Sequence, residues 1–218
     1  MTSPEQQLEM LKGLAFLRTE CMSVRHGDYG EDLFGGSCDL RLAPPAQRTP
    51  MWRREGDSPP SNFDVALHLD FADFEAADDY SADPTHTAAS RFNESVSWDE
   101  LTARVDWLYD GDVPTQRGHV RHVAMFVWAN DSSDAVRQLA LDAVQALEAL
   151  DGVERVTVGH SVQRLTSDYD WILDVQLPDR PTAERLLNGA GYAHAMEAVA
   201  AATKYEWTAR VTHVMRGR

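Results

Sequence analysis

Tyr80, Asp83 and His86 have types and spacing suited to proton transfer. A neutral imidazole can take a proton from a carbon beside a carbonyl, and a phenol can hold the enolate oxygen that forms. Asp83 stands one helical turn before His86, where a carboxylate can orient the ring or raise its basicity. The alternative for these residues is structural, a His and a Tyr closing a helix end over the Asp83-Pro84 turn. His122 and His194 form a second candidate set, which only the fold can bring together. A lone His on an apolar face is more often a core residue than a base.

His160 follows Val158-Gly159 near a strand end, and His26, His68, His119 and His213 have no partner legible in the sequence. No HxH, HxxxH or CxxC spacing occurs, so no metal is expected. Neither a GxGxxG or P-loop nor a Gly-x-Ser-x-Gly elbow occurs, and no organic cofactor is expected. Cys21 and Cys38 read as reduced, buried thiols.

The elements that must position these residues are clearest in the second half. Residues 120–128 are rich in β-branched and aromatic side chains and predict a strand. Asp131-Ser132-Ser133-Asp134 offers helix-capping chemistry, and Val136, Leu139, Ala140, Ala143, Val144, Leu147 and Leu150 follow at helical spacing until Asp151-Gly152. Strands are predicted over 153–158, 171–177 and 207–215, and a helix over 181–202 with a weak spot at Gly189-Ala190-Gly191. The order is β-α-β-β-α-β, an α+β ferredoxin-like plan.

Thr102-Ala103-Arg104-Val105 recurs as Thr208-Ala209-Arg210-Val211, a shift of 106 residues, and the same shift carries Phe63-Asp64 onto Tyr169-Asp170. The first copy matches from its helix onward. Ser3 and Pro4 open a stripe of Met10, Leu14, Leu17 and Cys21, read as a helix, with a strand over Leu11 to Arg18 as the alternative. Strands over 38–42, 65–71 and 101–109 and a helix over 74–90 complete it. Two repeats are expected, 1–111 and 119–215, the first carrying a proline-rich loop at 44–62 in which Trp52 lies beside Arg53 and Arg54.

Acidic residues outnumber basic ones 35 to 20, a net charge of −15 that gives nucleic-acid binding little support. No apolar run approaches the length of a membrane span, the first residues lack the pattern of a secretory signal, and a cytoplasmic location is expected. Residues 1–111 hold 9 basic and 21 acidic side chains against 11 and 14 in 112–218, so the copies have diverged. The six tryptophans, Trp52, Trp98, Trp107, Trp128, Trp171 and Trp207, either line a pocket for an aromatic guest or pack a core.

The second copy resembles the stress-responsive α/β-barrel (Dabb) domain of the dimeric α/β-barrel superfamily. The resemblance rests on Arg121-His122-Val123-Ala124-Met125-Phe126, Leu150-Asp151-Gly152-Val153, Tyr169-Asp170 and Ala193-His194. It implies a four-stranded sheet with both helices on one face, two such sheets closing into a barrel. A tandem chain would then be a pseudo-dimer, with a homodimer of such chains also open.

Family members such as the plant olivetolic acid cyclases carry a Tyr-x-x-His-Pro-x-His segment. The first copy keeps Tyr80, Pro84 and His86 but has Asp83 at the first His. In the second, His194 aligns with the last His, Asn188 with the Tyr, and Gly191-Tyr192 with His-Pro. His122 matches a His of the family's first strand, while Val65 and Trp171 replace a pocket His of its third. The resemblance implies cofactor-independent, aldol-type cyclisation of a polyketide or aromatic small molecule. His86, Tyr80, His194 and His122 would be catalytic, and Trp171, Asp83, Trp128 and Trp52 would bind substrate. Cofactor-free oxygenation and non-catalytic ligand binding or a stress-response role are the other readings.

Overall fold

The computed structural model describes residues 16–23, 65–71, 73–96, 103–109, 118–162 and 169–215. In chain order these form β1 (Phe16–Ser23), β2 (Val65–Phe71), α1 (Phe74–Ala82), α2 (Pro84–Val96), β3 (Ala103–Tyr109) and β4 (Val120–Phe126). There follow α3 (Asp134–Gln145), β5 (Arg155–His160), β6 (Trp171–Leu177), α4 (Arg180–Leu187), α5 (Ala190–Ala202) and β7 (Ala209–Val214).

Local chemistry sets the helix ends. Asp73 accepts from the Ala76 N–H at 2.8 Å to start α1, and Asp179 accepts from the Thr182 N–H at 2.8 Å to start α4. These two caps are 106 residues apart. Ser133 caps α3 through the Val136 N–H. After α3, Gly152 takes φ +82°, a left-handed conformation that glycine adopts without strain, and the chain turns into β5.

The helix expected over 74–90 is two helices reaching Val96. Pro84 has no N–H for the preceding turn and pushes Asp83 out of the helical region, to φ −65° and ψ 129°. Gly189 breaks the second copy at the same place, 106 residues on.

Antiparallel pairing gives the second half the strand order β5-β6-β4-β7, the ferredoxin-like order, and the first half β2-β1-β3. The opening helix is corrected: Leu17 and Cys21 lie in β1, the central strand of the first sheet. The pattern misled because an isolated stripe at helical spacing ignores the pairing that β2 and β3 offer on both sides. The rest of that stripe, the strand expected over 38–42, the 44–62 loop with Trp52, and Trp98 lie outside the described residues.

The sheets pack face to face. Ala103, Val105 and Trp107 of β3 meet Val123, Met125, Ile172, Ala209 and Val211 in one buried cluster. Trp107 bridges to Ser161, and the Val162 N–H donates to the Asp106 carbonyl at 2.9 Å, so β3 runs beside β5. A second core lies under α3, α4 and α5 and includes Ala124, Phe126, Trp171, Leu173, Val175 and Tyr192.

Candidate functional site

In the first half, Tyr80 near the end of α1 and His86 at the third position of α2 meet across the Asp83-Pro84 break. Their ring centroids lie 4.2 Å apart at 38°, and Phe71 of β2 touches Tyr80 at 5.5 Å. Both rings are half-buried, and His86 Nδ1 is buried with no hydrogen-bond partner among the described residues. Such an atom is one that a ligand or water completes.

Asp83 does not orient the ring. Its carboxylate accepts from the backbone N–H groups of Thr85 at 2.6 Å and His86 at 3.2 Å, capping α2. Those bonds, that from Thr85 foremost, hold its carboxyl below the usual range.

In the second half, His122 is fully buried on the helix-facing side of β4. Its Nδ1 lies 2.8 Å from Thr212 Oγ1 of β7 and its Nε2 2.7 Å from the Tyr192 hydroxyl of α5. Burial pulls His122 down to about 3, with the positive charge of Arg210 adding to the effect and Asp174 opposing it. The ring is therefore neutral at ordinary pH, with one donor and one acceptor nitrogen, and the two hydroxyls use both. Burial also raises Tyr192 above the usual phenol range.

His194 does not join this pair, which corrects the second candidate set. It lies on the outer face of α5, its side chain 84% exposed and 3.8 Å from Glu197. The reason is register. Strands β2 and β6, and helices α2 and α5, correspond at a shift of 106 residues, which carries His86 onto Tyr192 and Tyr80 onto Leu186. Matching the family segment onto Asn188 and His194 slips two residues, which rotates the choice from the buried to the exposed face of the helix. Tyr192 is the residue sequence reasoning passed over; the 106-residue repeat carried the signal.

Pairing places the opening strands too. Phe126 faces Trp171 in one sheet and Ser23 faces Val65 in the other, so β1 and β4 correspond at 103 residues. Thr19 thus stands at the register position of His122.

Trp171 is fully buried, stacked between Phe126 at 4.3 Å and Trp128 at 5.0 Å, and its indole N–H has no hydrogen-bond partner among the described residues. The Arg137 guanidinium lies 5.4 Å over half-buried Trp128. Trp107 is a core residue between the sheets, and Trp207 is 51% exposed. His119 pairs with Glu154 at 2.8 Å, and His160 is exposed.

Arg121 and Asp174 form a buried bidentate pair within the second sheet, Nε to Oδ1 at 3.0 Å and Nη2 to Oδ2. Among the described residues, no three His, Cys, Asp or Glu side chains gather as metal ligands would. Nor is any described helix long and apolar enough to cross a membrane.

No protein-family model and no curated protein matches the chain. Solved structures do match. A candidate monooxygenase of Fusobacterium nucleatum aligns over 94% of this chain and 93% of its own, with a TM-score of 0.53 and 9% identity. Two dimeric ferredoxin-like proteins of unknown function align with about one half. That of Bacteroides fragilis covers 45% of this chain and 97% of its own (TM-score 0.38, 16% identity). That of Thermobifida fusca covers 49% and 99% (TM-score 0.41, 15% identity). The likeness to the Fusobacterium protein spans both halves and is one of fold: α+β, with ferredoxin-like sheets.

Proposed function

We propose that this chain is a cofactor-independent enzyme acting on a polyketide or aromatic small molecule, with its working centre at Tyr80 and His86. One observation carries the reading. The His86–Tyr80 pair is half-buried with an unsatisfied imidazole nitrogen, while the His122–Tyr192 pair of the second half is saturated by internal bonds. An imidazole whose hydrogen bonding the fold leaves unfinished can still engage a bound substrate and its water.

The reaction proposed is an aldol-type cyclisation. His86 takes a proton from the carbon between two carbonyls, and the Tyr80 hydroxyl donates to the enolate oxygen. That carbon bonds to a distant carbonyl carbon of the same chain, whose oxygen takes up the proton from His86; loss of water then gives the ring. Each group is worth on the order of 100- to 10,000-fold. Trp171 and Trp128 fit aromatic contacts in the second half.

The test supplies linear poly-β-carbonyl thioesters to wild type, H86A and Y80F and follows ring formation by mass spectrometry. Ring formation by wild type alone is the expected result; equal turnover by H86A removes the proposal.

A second reading, cofactor-free oxygenation, draws on the fold shared with the Fusobacterium candidate monooxygenase. The same base would deprotonate an electron-rich phenol, whose electrons reduce O2, one oxygen atom entering the product and the other leaving as water. Oxygen uptake with a phenolic substrate distinguishes it from cyclisation. Assembly of two chains into a homodimer is a separate proposal, read out by sedimentation.

A further inference from the structure

Asp83, the carboxylate nearest His86 in sequence, is committed to capping α2. Another carboxylate lies on the helix-covered face of the first sheet. Asp106 of β3 is only 3% exposed. Its neighbours Val105 and Trp107 face the inter-sheet core, so strand alternation puts Asp106 on the opposite, helix-facing side. That is the side on which Phe71 touches Tyr80.

The repeat locates it further. The 106-residue shift carries Asp106 onto Thr212 and His86 onto Tyr192, the two residues that hold the His122 ring between them at 2.8 and 2.7 Å. In the first half the strand position of that ring is Thr19, paired with Asp106, and the imidazole stands on the helix instead. By register, carboxylate and imidazole stand on either side of the Thr19 position.

We infer that Asp106 is the positioning residue of His86, holding Nδ1 in its protonated form through one bridging water or substrate hydroxyl and leaving Nε2 as the base. The unsatisfied atom on His86 is Nδ1. A carboxylate accepts at about four lone-pair sites, so Asp106 can serve this link beside its other bonds. An imidazole fixed as one tautomer by an acid behind it is the general arrangement for a His base. The meaning of the inference rests on His86 being the base; its test does not.

Nitrogen-15 spectra of histidine-labelled protein at pH 8.5 read the tautomer, with His86 assigned from its loss in H86Q. Wild-type His86 is expected mostly as Nδ1–H, and D106N as mostly Nε2–H, the form free imidazole side chains prefer. D83S, which keeps a capping oxygen but no charge, should match wild type. Should D106N not fold, D106E decides: a moved His86 Nδ1 resonance supports the link, and an unmoved one overturns it. Wild-type His86 as Nε2–H, or a tautomer that follows Asp83 and not Asp106, also overturns it. Full turnover in H86A would remove the base reading and leave the tautomer result standing. An inactive H86A with an unchanged D106N tautomer would remove this inference alone.

Discussion

His86 and Tyr192 hold the same place in two copies of one motif, third in α2 and third in α5, and use it differently. Tyr192 closes on His122 and completes its hydrogen bonding. His86 lies against Tyr80 with a ring nitrogen unused. The first pair leaves a ring nitrogen open and the second does not.

Removing the Tyr192 hydroxyl leaves a buried nitrogen of His122 without its partner. Y192F should lose about 1–3 kcal/mol of stability in urea unfolding. Exposed His194, two residues on, should tolerate alanine within about 0.5 kcal/mol. Equal costs for the two variants would contradict the assignment of the buried face of α5.

His122 should make stability depend on pH. Its unfolded value is near 6.5 and its folded value about 3, so between these the unfolded chain binds a proton that the native protein does not. Its contribution is full above pH 6.5 and falls, by up to about 1.4 kcal/mol per pH unit, as pH drops toward 3. Urea unfolding of wild type and H122Q at pH 7 and pH 5 checks this: the advantage of wild type should shrink at pH 5. A constant difference would mean that His122 is not buried neutral.

The Arg121–Asp174 pair sits at 2% and 1% exposure in an otherwise largely apolar sheet. Breaking it with R121M removes the bidentate partner of a buried carboxylate and should cost about 3–5 kcal/mol. Removing both charges, as R121M with D174L, should recover most of that. A double variant as unstable as the single one would show that the charges themselves are required.

Gly159 lies under the Trp107 indole, where an added Cβ would come within 2.0 Å of Cε3. G159A should therefore cost about 1–3 kcal/mol by overpacking the junction of β3 and β5. W107L beside it should relieve part of the penalty, a coupling that thermal unfolding of the two singles and the double measures.

Much of the second half was legible because each element carries its own signal. Val120–Phe126 is β-branched, Ser133 caps α3, and Gly152 stops the segment that follows. The 106-residue shift likewise anticipated β2 and β3, and residue type and spacing singled out Tyr80 and His86, whose rings lie 4.2 Å apart. What failed was whatever depends on neighbours. A short stripe through Leu17 and Cys21 suits a helix or a strand equally, and the flanking β2 and β3 decide for the strand. Asp83 reads as a partner for His86 until the two backbone N–H groups after Pro84 claim its carboxylate. His194 matched a family segment, and a two-residue slip on a helix is enough to exchange the buried face for solvent. Trp128 and Trp171 were placed beside a ligand by residue type; the fold adds that they stack on each other.

Ring formation by H86A and H194A in one assay decides which half carries the proposed chemistry. A loss of about 100-fold or more in H86A with wild-type turnover in H194A is expected if it is the first. Turnover kept by H86A and lost by H194A would contradict it.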